Sequence, residues 1–416
     1  MAHLPTFTDA PSGPSWMDDT RGEAIKALGD LSDPSSSSEL WRYSPIDRLD
    51  LSQLSTESRA SKGVTAPDSL AELLASAMVF HTVNGSFQSE SKQADGWSIR
   101  AQSEKAYGLG SIVSAGDLHS AVSLAYAPSP LVIALDRGVT LEQPIVILHQ
   151  LDDQGTLALP RLAIELAEQA CATVVEIFIG GGLSGASIPV TELFVAKAAN
   201  LTHGSVQLLD GSATFMGRIG GVVGRDGNLS LFSASFGGSY ARLRSDVALN
   251  EQGASSQVRS TYLGTGSQVH DLRTLQDHLA ARTTSDMLCK GAVTGESSSV
   301  YTGMIRIANG AKRSEANQTN HNLVLDERAH ADSVPNLDIS ENDVRCSHAS
   351  TVGPIDEDQR YYLESHGIAP DDAERLIVRG FFADAMAAVP LPKLRNVLVN
   401  EAAARLDATR TKKTNS

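Results

Sequence analysis

Short apolar runs follow one another from about residue 130 to residue 352, and they constrain the fold more than any other feature of the sequence. They include PIVILHQL, TVVEIFIGG, NLSLFSASF and VYTGMIRIA, and Gly, Asn, Asp and Ser separate them. Segments with the length and periodicity of a helix are nearly absent between them. The lack of crossover helices excludes a doubly wound sheet and leaves a β-sandwich, a propeller or a β-solenoid.

Three features of this region favour the solenoid. Aromatic residues make up only 5% of the chain, which suits a narrow interior filled by stacked Val, Ile, Leu and Ala. Small polar residues recur where each coil must turn, as in GSATFMGRIGGVVGRDGNLSLFSASFGGSYARL. Polar and apolar residues alternate in SSVYTGMIRIA, so each strand buries one face. No strict repeat period is visible. The prediction is a mainly β protein with a parallel β-helix core.

The sequence divides into three parts. Residues 1–75 mix helical patches with Pro- and Ser-rich loops, and PDSLAELLASAMVF predicts a helix that leads into the core. Residues 76–352 form the predicted β-helix core. Residues 353–416 form a predicted C-terminal helical domain, in which Asp356 and Gln359 make an N-cap pattern and PDDAERLIVRGFFADAMAAV and KLRNVLVNEAAARLDA are further helices. The final TRTKKTNS is expected to be a disordered tail.

Charge and composition argue against several classes of function. Lys and Arg total 34 against 49 Asp and Glu, a net charge of -15, so binding to nucleic acid or to anionic lipid is not expected. The opening MAHLPTFTDAPSGPSWMDD has neither a basic region nor an uninterrupted apolar run, and no later stretch has the length of a spanning helix. Three widely separated cysteines suit a reducing compartment. We therefore expect a cytoplasmic protein.

Cys346 and His348 are the strongest candidates for chemistry. On a strand, positions two apart project from the same face, so a thiol and an imidazole would lie side by side and could bind a soft or borderline metal. An all-cysteine iron–sulfur site needs four thiolates, and the other two cysteines are distant in sequence; an interface could complete the set. The alternative is structural: Cys346 is a small core side chain and His348 a hydrogen-bonded turn residue.

Other motifs carry less information. His321 and His330 lie among Asn, Asp and Pro residues, which we interpret as turn chemistry rather than as a metal or acid–base cluster. The sequence contains no phosphate-binding G-x-x-x-x-G-K-[ST] loop, no G-x-S-x-G elbow and no H-E-x-x-H motif. The chain is therefore not expected to hydrolyse ATP unaided or to be an enzyme.

The C-terminal helix carries a broad apolar arc. An arc of this width serves either a partner or packing on two sides within the chain. Its members are Ile377, Val378, Phe381, Phe382, Ala385, Met386 and Val389.

The last hundred residues resemble the SufB/SufD family of iron–sulfur cluster assembly proteins, and its SufD branch more than its SufB branch. The resemblance is carried by ANQTNHNLVLDERAHADSVPNLDISENDVRCSHASTVGPIDEDQRYYLESHGI and DAERLIVRGFFADAM, and it reaches back to ELWRYSPID. The RCSH signature, with its cysteine before the histidine, is the SufD-like feature. The chain departs from the family at Ala349-Ser350, where glycine commonly follows the histidine, and at His366, where arginine is common.

This resemblance implies a right-handed parallel β-helix core flanked by N- and C-terminal helical domains. It also implies a scaffold subunit that pairs with SufB through the β-helix ends, docks the ABC-type ATPase SufC on its C-terminal helices and supports iron acquisition and cluster assembly. His348 and Cys346 would be ligands, at the SufB interface, of transient iron or a nascent cluster, with no metal stably bound by this chain alone. The SufC-docking residues would be Ile377, Val378, Phe381, Phe382 and Met386.

Three alternatives remain. In the absence of SufB, the chain could form a homodimer. An exported β-helix enzyme of the polysaccharide-lyase type would need clustered carboxylates with a basic residue on one face. A stand-alone metal-binding module would take up metal stoichiometrically without a partner.

Overall fold

The computed structural model describes residues 15–31, 35, 38–56, 66–101, 110–152, 155–180 and 184–414. The chain is mainly β, with 44% strand and 22% helix. The α-helices are α1 (Trp16–Asp30), α2 (Ala71–Leu74), α3 (Leu118–Tyr126), α4 (Glu357–Ser365), α5 (Pro370–Ala387) and α6 (Pro392–Thr414). Short 3-10 turns lie at Glu39–Trp41, Ile46–Arg48 and Asp68–Leu70.

Between Leu131 and Gly353 the described residues contain strands and turns but no helix. The strands of the chain are β1 (Met78–Val83), β2 (Ser86–Phe87), β3 (Lys92–Ala94), β4 (Trp97–Ala101), β5 (Leu131–Leu135), β6 (Ile145–Leu151), β7 (Leu157–Ala158), β8 (Arg161–Leu166), β9 (Cys171–Gly180), β10 (Ala186–Ser187), β11 (Val190–Val195), β12 (Asn200–Gln207), β13 (Thr214–Val223), β14 (Asn228–Ser235), β15 (Tyr240–Leu249), β16 (Ser255–Gly264), β17 (Val269–His278), β18 (Thr284–Val293), β19 (Ser298–Ile307), β20 (Glu315–Val324), β21 (His330–Ile339) and β22 (Arg345–Gly353).

The strands form two long sheets. Sheet 1 has the order β2-β1-β6-β9-β12-β14-β16-β18-β20-β22, and sheet 2 has the order β21-β19-β17-β15-β13-β11-β8-β5-β4-β3, with β7 and β10 beside it. From β11 onward, successive strands alternate between the two sheets, and each pairs in parallel with the strand one coil before it. The chain therefore winds into a parallel β-solenoid of about eight turns, which confirms the predicted core.

The coils are unequal in length, which explains why no strict repeat was visible in the sequence. The same register position of sheet 1 is occupied in successive coils by Cys171, Asn200, Asn228, Ser255, Thr284, Glu315 and Arg345.

One face of each strand points into the solenoid, because side chains alternate across a strand. Ile133, Ile164 and Leu193 occupy equivalent positions in successive coils of sheet 2, and all three are buried in one interior core. Such stacking of like side chains fills much of the narrow interior, and a few aromatic residues, among them Phe178 and Tyr301, complete it.

Both outer faces are covered over part of their length. Phe382 of α5 and Leu398 of α6 pack with Val175 and Phe232 on the outside of sheet 1. On sheet 2, Arg242 donates to the carbonyl oxygen of Leu40 at 2.7 Å. The N-terminal segment is thus fixed to the opposite side of the solenoid from the C-terminal helices.

A charged cluster lies inside the solenoid among buried residues. The Glu176 carboxylate contacts Nε2 of His149 at 3.0 Å and Nε2 of His203 at 2.9 Å, and it accepts a hydrogen bond from Thr191 at 2.8 Å. Burial by itself raises the pKa of Glu176, but the hydrogen bonds and charges of the two histidines outweigh this effect and lower that pKa to about 2. The carboxylate is therefore held in its charged form.

The two ends of the solenoid differ. At the end we call the hairpin-covered end, β2 runs antiparallel to β1, and β3 and β4 add antiparallel strands to β5. The β1–β2 hairpin turns at Asn84 and Gly85, both with positive φ, as a type I′ turn requires. Phe87 stacks on Phe80 with ring centroids 6.1 Å apart. At the other end, the open end, the sheets stop at β21 and β22, each paired in parallel on one side.

Three local predictions differ from the structure. The helix predicted in PDSLAELLASAMVF is wrong beyond Leu74, because the chain is already extended as β1 from Met78. Helix α3 was not predicted; Asp117 caps it by accepting a hydrogen bond from the Ser120 backbone at 3.0 Å. Helix α6 continues to Thr414, into the segment predicted to be a tail.

Candidate functional site at the open end of the solenoid

Cys346 and His348 lie on β22, the last strand of sheet 1. Their register partners on β20 are Ala316 and Gln318, which belong to the inward face of that strand. Both side chains therefore face the interior at the open end. They share one face of the strand, as the spacing predicted. Cys346 is half-buried and packs against the interior core, whereas His348 is exposed.

No described residue of the chain covers the interior core at this end. Leu337, Ile339 and Val352 belong to the inward faces of β21 and β22, yet they are 36%, 42% and 43% exposed. At the hairpin-covered end, by comparison, Phe80 and Ile99 are fully buried. Cys346 and His348 thus lie within an apolar layer that faces solvent beside two unpaired strand edges.

The two thiols of the last coils differ in environment. Burial raises the pKa of the Cys346 thiol, so a metal ion that binds there must displace a proton. Cys289 is fully buried two strands away in sheet 1, and burial raises its pKa to about 12. Cys289 is therefore an inert core thiol.

No group of three or more His, Cys, Asp or Glu side chains is placed to hold a metal ion in the part of the chain that the structure describes. His330, on the outer face of β21, pairs with Asp332 at 3.2 Å between Nε2 and Oδ1. His321 lies on the outer face of β20, where burial lowers its pKa. The structure does not bring either histidine together with Cys346 and His348 on the inward face.

Three buried carboxamides lie directly below the open end. Gln318, Asn320 and Asn322 occupy alternate positions on the inward face of β20, and we call them the carboxamide row. We expected the Asn residues here to belong to turns at the ends of strands, but these residues lie within β20. Amide residues at every second position of QTNHN were the signal that could have found them.

The row connects the open end with the interior by hydrogen bonds. Asn320 Oδ1 accepts from Ser333 Oγ at 2.6 Å and from Asn322 Nδ2 at 2.8 Å. Ser350 on β22 is hydrogen-bonded to Ser333 at 2.6 Å. Tyr262 donates to Asn322 Oδ1 deeper inside. Asn320 and Asn322, the register neighbours of Ser350 and Val352, therefore belong to an ordered hydrogen-bond network.

The predicted docking residues of α5 separate into two groups. Val378, Phe382 and Met386 are buried in the core between α5, α6 and sheet 1, whereas Ile377 and Phe381 are half-buried. The first group holds the helix in place, so it is not accessible unless the helix moves. The exposed apolar side chains nearby are Leu376, Tyr361 and Tyr362.

A polar contact ties α5 to sheet 1. Lys290 on β18 donates to the carbonyl oxygen of Phe381 at 2.8 Å and pairs with Asp384 at 2.8 Å. Its ammonium group also lies 4.7 Å from the centroid of the Phe381 ring. Lys290 therefore fixes the middle of α5 to a strand two places from β22.

Comparison with known proteins identifies the family. The family model "SUF system FeS cluster assembly, SufBD core domain" matches residues 149–381, which span most of the solenoid and reach into α5. The chain belongs to the SufBD family. The expected resemblance is therefore confirmed, and the solenoid described above is the family's core domain in this chain.

Named relatives agree with the SufBD assignment. The iron–sulfur cluster assembly protein SufD of Escherichia coli is 28% identical over 84% of this chain and 84% of its own. A SufBD family protein of Mycobacterium tuberculosis is 30% identical over 65% of this chain and 69% of its own. SufD of Bacillus subtilis is 27% identical over 64% and 61%. These names favour the SUF assembly prediction over the carbohydrate-active alternative.

The SufBD chain has no helix of sufficient length and apolar character to cross a bilayer among its described residues.

Proposed function

We propose that this SufBD chain is a non-enzymatic scaffold subunit of a SufBCD-type complex. It pairs through the open end with a SufB-like subunit and carries a SufC-like ABC ATPase on its C-terminal helices. The observation that carries the proposal is the uncovered interior layer at the open end, which contains Cys346 and His348.

The open end has the properties of an interface. Unpaired edges of β21 and β22 offer backbone donors and acceptors to a further strand, and an exposed edge of this kind otherwise invites aggregation. Leu337, Ile339 and Val352 add apolar area that a second solenoid end would bury. A SufB-like subunit with its own solenoid would continue both sheets across the contact.

The ligand set would be shared between the two subunits. Cys346 and His348 supply one thiol and one imidazole, which is half of a four-coordinate site for a borderline metal. Iron or a nascent cluster is the cargo of this site and would be held transiently between Cys346, His348 and ligands of the partner. Closing the interface removes water, which strengthens such contacts.

The ATPase would contact the C-terminal helices on their accessible side. Tyr361, Tyr362 and Leu376 are exposed, and Ile377 and Phe381 are half-buried beside them. Val378, Phe382 and Met386 would not contact the ATPase; they would hold α5 in place on sheet 1. This division keeps all five predicted residues in the docking region but gives them different roles.

Movement of the ATPase would reach the open end through α5. This helix contacts β16 and β18, and Lys290 fixes it to β18. Strand β20 lies between β18 and β22 in sheet 1. A shift of α5 would therefore displace the coils that carry Cys346 and His348, opening or closing the shared site.

The test is co-expression of the tagged chain with SufB-like and SufC-like subunits, followed by anaerobic purification. We expect His348→Ala to leave complex recovery unchanged and to lose most of the cluster absorbance. His330→Ala is the matched control, because His330 is an exposed histidine on the outer face of the same coil. Full cluster content in His348→Ala, or failure of the wild-type chain to recover either partner, would contradict the proposal.

A homodimer is the alternative occupant of the open end when no SufB-like subunit is present. Sedimentation of the purified chain distinguishes the states. A dimer that a SufB-like subunit dissociates supports shared use of the open end, and a dimer that persists beside a bound SufB-like subunit argues against it.

A further inference from the structure

We infer that Gln318 is a positioning residue for His348: its carboxamide hydrogen-bonds one ring nitrogen and thereby directs the other toward the partner subunit. This inference rests on the proposed function, because it assigns a role beside the site at the open end.

The amide of Gln318 differs from the rest of the carboxamide row. Asn320 and Asn322 are hydrogen-bonded to each other and to neighbouring side chains. Gln318 is 1% exposed, yet neither its Oε1 nor its Nε2 has a hydrogen-bond partner among the residues that the structure describes. Buried amides are nearly always paired, so an unpaired one in an otherwise satisfied row indicates a missing partner.

The register points to His348 as that partner. Gln318 on β20 lies directly beside His348 on β22, and both project from the inward face. Adjacent strands are about 4.8 Å apart, so the two side chains can meet after a rotation of the imidazole. On the opposite side of Gln318 the register neighbour is Met287, which offers no comparable donor.

Sheet 2, which faces Gln318 across the interior, limits the position of the Gln318 amide. A Cβ atom built on Gly303 of β19 would lie 2.2 Å from Gln318 Nε2, so this glycine leaves the space that the amide fills. In the next coil Pro335 is the register neighbour of Gly303, and its backbone has no N–H to offer. The carboxamide is therefore confined below the last coil.

A carboxamide suits the second contact of a metal-binding histidine. A ligating imidazole usually donates its other ring N–H to an oxygen acceptor, which fixes both tautomer and ring orientation. Gln318 Oε1 would accept that bond and leave the opposite nitrogen with its lone pair free. His348 would then enter the interface already oriented, which reduces the freedom lost on binding.

The test compares two replacements of Gln318 in the co-expressed complex. Gln318→Met keeps the approximate size and removes the acceptor, and we expect cluster content to fall about 10-fold at unchanged complex recovery. Gln318→Glu keeps an acceptor oxygen and should retain most of the cluster. Gln257→Met, at an exposed position of β16, is the matched control. Equal cluster content in Gln318→Met and wild type, or equal loss in both Gln318 variants, would overturn the inference.

A second readout does not depend on the cluster. In the metal-free complex with ¹⁵N-histidine only in this chain, the His348 signals are assigned by their absence in His348→Ala. We expect a single tautomer in wild type and a mixture in Gln318→Met. Identical His348 signals in the two proteins would overturn the inference. If Gln318→Met lowers complex recovery, Gln318→Leu serves as a second apolar replacement for the same measurement.

The two proposals can fail separately. If His348→Ala retains its cluster, the proposed function of this site fails. If His348→Ala loses its cluster while Gln318→Met keeps it, only the positioning role of Gln318 fails.

Discussion

The two ends of the solenoid differ in how far the interior core is covered. At the hairpin-covered end, antiparallel strands and Phe87 cover the first coil, and Phe80 and Ile99 are fully buried. At the open end, the outer edges of β21 and β22 pair with no other described strand, and the core layer with Ile339 is exposed. A solenoid needs terminal covers to stay soluble, so the exposed core layer at the open end supports the proposal that another chain binds there.

The difference also separates stability from association. Core residues near the hairpin-covered end, such as Phe80 and Ile99, are fully buried in this chain, whereas the apolar residues of the last coil are partly exposed and stabilise the fold less. Substitutions at the two ends should therefore affect different measurements.

The largest expected effect comes from placing the same charge at both ends. Ile99→Arg buries an unpaired cation in the interior, and we expect no soluble folded protein. Ile339→Arg places the cation at the open end, where it can reach solvent, so the fold should survive and pairing with a SufB-like subunit should fall by at least about 100-fold. Thermal unfolding and co-purification measure the two effects. If the Ile99→Arg variant folds, or if the Ile339→Arg variant pairs normally, the proposed difference between a folding end and an association end is wrong.

The buried cluster between the ends should affect folding alone. Glu176→Ala leaves His149 and His203 without their shared acceptor, which should cost about 3–5 kcal/mol of unfolding free energy at pH 7. The pKa of Glu176 is lowered to about 2, so its contribution is full above about pH 4.5 and is lost as the pH falls toward 2. Urea unfolding across this range measures both.

Glu176→Gln is the control for that acid dependence, since it cannot titrate. We expect the wild-type protein to lose about 3 kcal/mol more stability than Glu176→Gln between pH 5 and pH 2. Parallel acid curves for the two proteins would show that another group carries the effect.

A smaller effect is expected at the turn of the covering hairpin. Gly85 has a φ of 84°, and an added Cβ would lie 2.9 Å from the backbone nitrogen of Leu159, so Gly85→Ala should cost about 1–2 kcal/mol. Gly138 has a φ of 71° and open space around it, so Gly138→Ala isolates the cost of the backbone conformation. Urea unfolding of both variants measures the difference; equal costs would mean that the Leu159 contact relaxes freely.

The smallest effect is expected for an exposed ion pair at the open end. Arg345 and Glu315 lie 3.3 Å apart, with side chains 86% and 55% exposed, so Arg345→Ala should change the unfolding free energy by less than about 0.5 kcal/mol. The buried pair Arg161–Glu192, closer to the hairpin-covered end, is the contrast, and Arg161→Ala should cost about 3 kcal/mol or more. Calorimetry in low and high salt checks both.

Much of the solenoid was predictable because its signals are local. Turn residues between short apolar runs such as TVVEIFIGG indicated strands, and the absence of helical periods excluded crossover folds. The exact coil length was not predictable, because turns of unequal size separate Asn228 from Ser255 and Thr284 from Glu315. The helix was predicted to extend to Met78, but Met78 begins β1, which pairs with β6. Local propensity does not report on a pairing between strands so distant in sequence.

The site was predictable only in part. The spacing of Cys346 and His348 correctly placed them on one face of a strand, and their role as ligands stays a prediction. Their exposure depends on β22 being the last strand of sheet 1, which the sequence does not state. The burial of Val378 and Phe382 could not be predicted from the sequence either. A wide apolar arc is compatible both with packing on sheet 1 and with contact with a partner.

The order of the coils along the chain has a consequence for synthesis. The hairpin-covered end is translated first and can serve as a template on which later coils are added as they leave the ribosome. The coil with Cys346 and His348 is translated after all the others, and helix α5, the proposed docking helix, follows it. A truncated or stalled chain would therefore lack the open end, and the proposed ligands Cys346 and His348 would be exposed only after the preceding coils had been synthesised.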